Sequence, residues 1–460
     1  MDTPSKQALS FLDSWLDYRV RQSHIPGLSV AVGVGSDVVF AKAYGMADVE
    51  RQEALTTDHI FGMASQSKLF ASTAVLQLVQ AGKLRLDDPA SHYLPWLGSH
   101  HDTRVRTITI RQLLSHSAGL VRDGQRTDFW MLAKPFPDAN ALQSMVLATE
   151  LPVEPNTQLK YSNMGIALVG QIVEAASGLP YTEYIHDHIL KPLKLKHTFA
   201  DYKPELDNRL ATAYSFPYEH QRRPLMPRLP TETFASAVGI HSTPTDMCHF
   251  AIANFWSREV LLSDASKKEM QRTQITGYGY DEGWELGLGA EIQRAGNHRL
   301  VGHSGHLAGY LTATFFDPHS QLAVSVAVNA KDDTDILKVV RGIIGALDWF
   351  AEQAGSVVPK QIVRLNVRLF NPVAVLQVVA VSKGGVVLID PDDWEPFSFA
   401  ETCEQIRPGV LRITTPGSAF NEGELVHYAF SQSNEVLSVD YTGQTLLPED
   451  IWRQSVKAEE

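Results

Sequence analysis

Cysteine is almost absent: Cys248 and Cys403 are the only two in 460 residues, far apart and in unlike surroundings. This excludes a disulfide framework and a cysteine-based zinc site, and it fits a reducing compartment. Basic runs are missing too. With 40 Lys and Arg against 52 Asp and Glu the formal net charge is -12, so no cationic face is offered to a nucleic acid. No segment is long and apolar enough to span a bilayer. The first apolar stretch is broken by Asp13, Asp17 and Arg19, unlike a secretory leader. Internal repeats and low-complexity runs are lacking as well. The expectation is a soluble, cytoplasmic chain with no membrane and no nucleic-acid partner. Its 44% hydrophobic and 20% charged residues are ordinary for a globular protein, and its length allows two or three domains.

The stretch from Phe61 to Gly82 carries the most information. Ser65 and Lys68 stand three residues apart, so on a helix they share one face. The residues after Lys68 are apolar almost all round, as in a helix sunk in a core, and Gly82 is a natural stop. Burial would favour the neutral form of the amine, and a neutral amine beside a hydroxyl is a base beside a nucleophile. Alone, Ser-x-x-Lys is weak, because a helix cap plus a solvated Lys gives the same pattern.

Ala8, Leu12, Trp15 and Leu16 predict a first helix to about Arg21, and two strands, Leu28–Val34 and Val38–Ala43, form a hairpin around Gly35-Ser36-Asp37. Helical signals dominate from Asp58 to about Trp256, with an irregular excursion over Tyr202–Pro230. Strand patterns return near Trp284–Gly289, His298–Val301, Leu311–Phe316 and Leu322–Val328, followed by a helix over about Asp333–Ala354. Beyond Gly355–Pro359, alternating segments such as Val363–Leu369, Val373–Val379, Val410–Thr415 and Val436–Tyr441 predict a small all-β unit of about eight strands, a sandwich or closed barrel. Strands at both ends with helices between predict one mixed sheet carrying a large helical insertion. The expected division is a mixed domain over 1–355 and a β domain over 356–460.

Three further stretches strengthen the serine–lysine pair. Tyr161-Ser162-Asn163 precedes a helical run from Met164 to Ala176, and His303-Ser304-Gly305 stands at the end of a predicted strand. Leu113-Leu-Ser-His-Ser-Ala-Gly-Leu120 lies between the first two motifs. In this order and spacing, Ser65-Gln-Ser-Lys68, Tyr161-Ser-Asn163 and His303-Ser-Gly305 resemble the three motifs of the serine β-lactamase and penicillin-binding protein superfamily. The resemblance is to its class C-like branch, which also holds esterases, D-aminopeptidases, D-peptidases and peptide cyclases. The Leu113–Leu120 run and Ala237–Asp246 resemble structural signatures of that branch, and the likeness covers about Leu9 to Phe350.

The resemblance implies an α+β, transpeptidase-like catalytic domain followed by a lipocalin-like barrel. It implies Ser65 as the acylated nucleophile, Lys68 as the group assisting its deprotonation, and Tyr161 as the partner base and acid. Asn163 would orient Lys68 and the substrate amide. The backbone N–H groups of Ser65 and His306 would form the oxyanion hole, with Ser304 and Gly305 on the substrate's edge. His303 departs from the many relatives that carry Lys there, because His titrates near neutrality. Avid penicillin binding is thereby disfavoured, and small peptides, amides or esters, D-configured ones among them, are the expected substrates.

Two other readings of the function stay open on the sequence. The acyl group could pass to an amine, as in a transpeptidase or a cyclase releasing a carrier-protein-bound chain, or the protein could be a receptor that is acylated without turnover. No metal or other cofactor is called for. His100-His101-Asp102 and His186-Asp187-His188 lack the spacing of a zinc-hydrolase motif and read as solvated histidines. Gly302-His-Ser-Gly305 lacks the strand–elbow–helix setting of an α/β-hydrolase nucleophile. The C-terminal domain is a candidate for ligand binding or homo-oligomerisation.

Overall fold

The computed structural model describes residues 4–459 except 126, 133, 219–222, 278–282, 333, 354–365, 381–384, 417–420 and 434. The chain forms two compact units. One is Ser23–Val340; the other joins Asp2–Gln22 to Arg341–Glu460. The expected division at 355/356 falls outside the described residues. The N-terminal helix, which the sequence reading gives to the first domain, belongs to the second unit.

In the first unit, strands β1 (Gly27–Val34), β2 (Asp37–Asp48) and β3 (Glu53–Ala54) open the chain, and a short pair, β4 (Phe61–Gly62) and β5 (His241–Ser242), brackets the helical insertion. Then follow β6 (Ile275–Thr276), β7 (Glu285–Leu286), β8 (Glu291–Ala295), β9 (His298–Leu307), β10 (Tyr310–Asp317) and β11 (Leu322–Val328). Nine of them form one antiparallel sheet in the order β3-β2-β1-β11-β10-β9-β8-β7-β6. The terminal pieces thus close a single sheet through β1 and β11, paired from Leu28↔Val328 to Val34↔Leu322. Strands β1, β10 and β11 are buried along their whole length, which explains why their sequences run apolar instead of alternating. The β1–β2 hairpin turns at Gly35, whose φ of 59° a glycine tolerates.

Between β4 and β5 lies the helical insertion. Its centre is a helix over Ser67–Gln80, buried from Ser67 through Leu76. Thr73, Val75 and Val79 are weaker helix formers than the Leu, Ala and Gln around them, and burial of residues such as Leu69, Phe70 and Leu76, at about 1.5–3 kcal/mol each, outweighs that small deficit. Ala81 caps it and Gly82 follows with a φ of 69°. It packs on the helix Asn163–Ser177. The stretch Tyr202–Pro230 is irregular where described, apart from a 3-10 segment at Pro204–Arg209. One correction bears on the site. β9 does not stop near Val301 but continues through the third motif to Leu307, so His303 sits within the sheet, paired opposite Thr314.

In the second unit, eight antiparallel strands run from Val367–Phe370 to Gln444–Pro448 and close into a barrel through Leu369↔Pro448 and Phe370↔Leu447. Closure leaves no open edge. Leu369, Val378, Leu388, Leu411, Val426 and Leu446 are among the side chains of its interior. The N-terminal helix Lys6–Gln22 is part of this unit. Its Trp15 is fully buried, donates to Pro391 O at 3.3 Å, and meets Trp394 edge-on at 6.1 Å. Among the described residues no helix is long and apolar enough to cross a membrane.

Candidate active site

Pairing of β4 with β5 brings Met63 N within 2.7 Å of Ile240 O and delivers the chain into a 3-10 turn, Ala64–Gln66. Ala64 has a φ of 51°, a left-handed conformation that costs a non-glycine residue about 1–2 kcal/mol. Ser67 holds this bend. Its Oγ donates to Ala64 O at 2.6 Å and accepts from Ile240 N at 2.9 Å. Ser65 therefore lies on the tight turn just before the buried helix, at its positive end.

Lys68, on the first turn of that helix, is fully buried. Its Nζ lies 3.0 Å from Ser65 Oγ and donates to Ala237 O at 2.9 Å. Ala237 belongs to a buried π-helical turn, Ala235–Gly239, which presents this carbonyl to the amine. Burial brings the Lys68 ammonium down to about 7, against the weaker upward pull of Asp123 and Glu291.

The Tyr161 hydroxyl is also 3.0 Å from Ser65 Oγ. Its ring is stacked on His116, centroids 4.2 Å apart, and on Trp284 at 5.8 Å. Burial raises the phenol above its usual range, so it keeps its proton at neutral pH. Ser162 caps the helix Asn163–Ser177, accepting from Gly165 N at 2.9 Å. Asn163 is buried, but its Nδ2 donates to Asp123 Oδ1 at 2.9 Å. The lysine contact expected of Asn163 is taken by the Ala237 carbonyl.

On β9, His303 is buried beside Tyr161, ring centroids 6.3 Å apart. Its Nδ1 is 3.1 Å from Glu291 Oε1, which also accepts from Ser304 Oγ at 2.9 Å. Burial lowers the His303 imidazole, outweighing the upward pull of Glu291. Gly305 lets the strand come close to the nucleophile's turn: a Cβ there would lie 2.2 Å from Met63 O and 2.5 Å from Thr312 Oγ1. His306 follows directly, on the same strand.

The structure thus gathers Ser65, Lys68 and Tyr161 at hydrogen-bonding distance, with His303 next to Tyr161 and Asn163 behind, turned to Asp123. His116, Asp123, Trp284 and Glu291 are site residues that sequence reasoning missed. His116 lies in the Leu113–Leu120 run read as structural, and Glu291 carries no motif. His100 is not solvated as expected: it is fully buried, its Nε2 on Val146 O at 3.0 Å and its Nδ1 accepting from Asp102 N at 3.0 Å. That is a structural role.

A family model described as beta-lactamase matches residues 12–342. The chain belongs to the beta-lactamase family. This beta-lactamase-family chain is 32% identical over 187 residues to protein flp of Staphylococcus aureus strain MW2, a match covering 41% of this chain and 37% of flp. It therefore spans well under half the length of that curated relative. Among solved structures, it resembles the octameric penicillin-binding protein homologue of Pyrococcus abyssi, with a TM-score of 0.66 and 21% identity, over 97% of this chain and 100% of that one. It also resembles the D-amino acid amidase of Ochrobactrum anthropi SV3, with a TM-score of 0.64 and 24% identity, over 76% of this chain and 99% of that one. At these identities the two structures speak for the fold.

Proposed function

We propose that the chain is a serine hydrolase that acts through an acyl-enzyme on Ser65. The observation that carries this reading is the placement of Lys68 Nζ and Tyr161 OH at 3.0 Å from the same Oγ, in a buried setting that drives their proton affinities apart. Neutral Lys68 accepts the Ser65 proton as Oγ bonds to the substrate carbonyl carbon. The oxyanion faces the backbone N–H groups of Ser65 and His306. As the tetrahedral species collapses, the Tyr161 hydroxyl protonates the departing nitrogen or oxygen and is reprotonated from the Lys68 ammonium. Water then attacks the ester, and the same groups return the proton to Oγ.

The substrates are small amides, peptides or esters, D-configured ones among them. Supporting this are the buried His303, which supplies no permanent cation for a carboxylate, and the fold shared with a D-amino acid amidase. Ser304 and Gly305 line the substrate along β9. We place the protein in a reducing, cytoplasmic setting, in keeping with two buried free cysteines. Self-association is also proposed, since a homologue of the same fold is octameric; mass in solution, by light scattering, tests it. A fluorophosphonate or activated-ester probe is expected to add its mass to Ser65 and to no other residue. An unmodified Ser65 after prolonged exposure would refute the reading.

A further inference from the structure

At the second motif the structure holds a polar pair that the steps above leave unused. Segment 121–123 runs along the second motif: Ser162 Oγ donates to Val121 O at 2.7 Å, Met164 N to Arg122 O at 3.1 Å, and Asn163 Nδ2 to Asp123 Oδ1 at 2.9 Å. These bonds lay the Asp123 carboxylate alongside Tyr161 and Asn163. The Asp123 side chain is 13% exposed, while its ion-pair partner Arg122, with Nε at 3.2 Å, is 68% exposed. A pairing to such a solvated cation neutralises the carboxylate only weakly. Asn163 is 4% exposed, and among the described residues its Oδ1 has no hydrogen-bond partner. A buried acceptor without a donor is costly, and a substrate N–H is one way to satisfy it.

We propose that Asp123 and Asn163 Oδ1 together recognise the free α-ammonium group of an aminoacyl substrate. The inference rests on Ser65 being the acylated nucleophile and narrows the substrate class to amino-acid amides, esters and peptides with a free N-terminus. An ammonium carries three N–H donors and one positive charge. Asp123 meets the charge and one donor, and Asn163 Oδ1 meets a second. A substrate carboxylate placed there would be repelled. The arrangement has a further effect on the base. The Asp123 charge pulls the Lys68 pKa upward, and an ammonium seated on Asp123 offsets that pull, so a bound substrate favours the neutral, reactive amine.

The experiment compares D-alanine methyl ester with methyl propionate at pH 7, two esters that differ by the ammonium alone. The unaltered protein is expected to prefer the amino ester by at least about tenfold in kcat/KM, and Asp123→Asn to lower that preference by about 10- to 100-fold, chiefly through KM. An equal loss on both esters, leaving the ratio unchanged, overturns the ammonium site and assigns Asp123 to holding Asn163. Should Asp123→Asn not fold, the unaltered protein decides alone: a preference below about twofold overturns the proposal. Turnover of neither ester, together with an unlabelled Ser65, defeats the hydrolase reading itself, whereas turnover without preference defeats only the ammonium site.

Discussion

His116 lies nearly flat against Tyr161, ring centroids 4.2 Å apart and planes 28° from parallel. The same imidazole accepts from Ser162 N at 3.1 Å through Nδ1. Burial holds it well below its usual titration range, so it is neutral and available as an acceptor. It therefore fixes both the plane of the phenol and the backbone that carries it. His116→Ala removes the stack and leaves a buried N–H unpaired, at an expected cost of about 2–4 kcal/mol in stability. Steady-state kinetics should show kcat falling at least about tenfold with KM little changed, because substrate contacts stay while the phenol loses its alignment.

Lys68 makes activity and stability respond to pH in linked ways. Acylation needs the neutral amine, so its rate should rise with pH through about 7 and level off above. Folding depresses this group from its ordinary value of 10.5 to about 7. Between those values the unfolded chain binds the extra proton, so the lysine's contribution to stability grows with pH across the window and is lost as pH falls toward 7. Lys68→Met is expected to cut acylation by about 10³-fold or more and to flatten Tm between pH 7 and 10. Pre-steady-state labelling and thermal melts at several pH values check both halves.

Gly305 is where the third motif touches the nucleophile's turn. In Gly305→Ala the new Cβ would meet the Met63 carbonyl at 2.2 Å, and a backbone oxygen cannot rotate away. β9 or the Ser65 turn must then shift. The expected loss is about 1–3 kcal/mol of stability and about 10²-fold in acylation, since a displacement of about 1 Å suffices for that. Mass spectrometry of probe labelling with time, set beside the melting curve, separates the two effects.

Within the second unit, Trp15 joins the N-terminal helix to the stretch that carries Pro391 and Trp394. Phe11 adds to this from one turn earlier, with Phe350 at 5.6 Å and Phe397 at 5.1 Å between ring centroids. Trp15→Ala should lower the stability of this unit by about 3–5 kcal/mol. Differential scanning calorimetry should show one transition moving down while that of the Ser23–Val340 unit stays in place.

What was legible in the sequence was whatever repeats at a fixed spacing. Ser65 and Lys68 announced themselves by their separation, β10 and β11 by runs of apolar residues, and the barrel by alternation between turn residues. Contacts made through space by residues without a motif were not legible. Glu291 reads as one more charged strand residue until β8 pairs with β9 and sets it against His303. Asp123 looks like a loop aspartate until segment 121–123 aligns with Tyr161–Asn163. The end of β9 is hidden because His303-Ser-Gly305 has the composition of a turn, and only its pairing with β10, from His303↔Thr314 to His306↔Leu311, makes it a strand. The sequence reading gives the N-terminal helix to the first domain, because an amphipathic pattern says that a face is covered and not by what.

The acceptor that holds Lys68 in place is a main-chain oxygen, that of Ala237 within the π-helical turn at Ala235–Gly239. No exchange of side chain at Ala237 can delete a peptide carbonyl, so the lysine's anchor is insulated from point substitution in a way that a side-chain anchor is not. Neighbouring residues are thereby free to diverge and reshape what the enzyme accepts, while the backbone path that presents the Ala237 carbonyl must stay. A one-residue deletion there would be far more damaging than any single replacement.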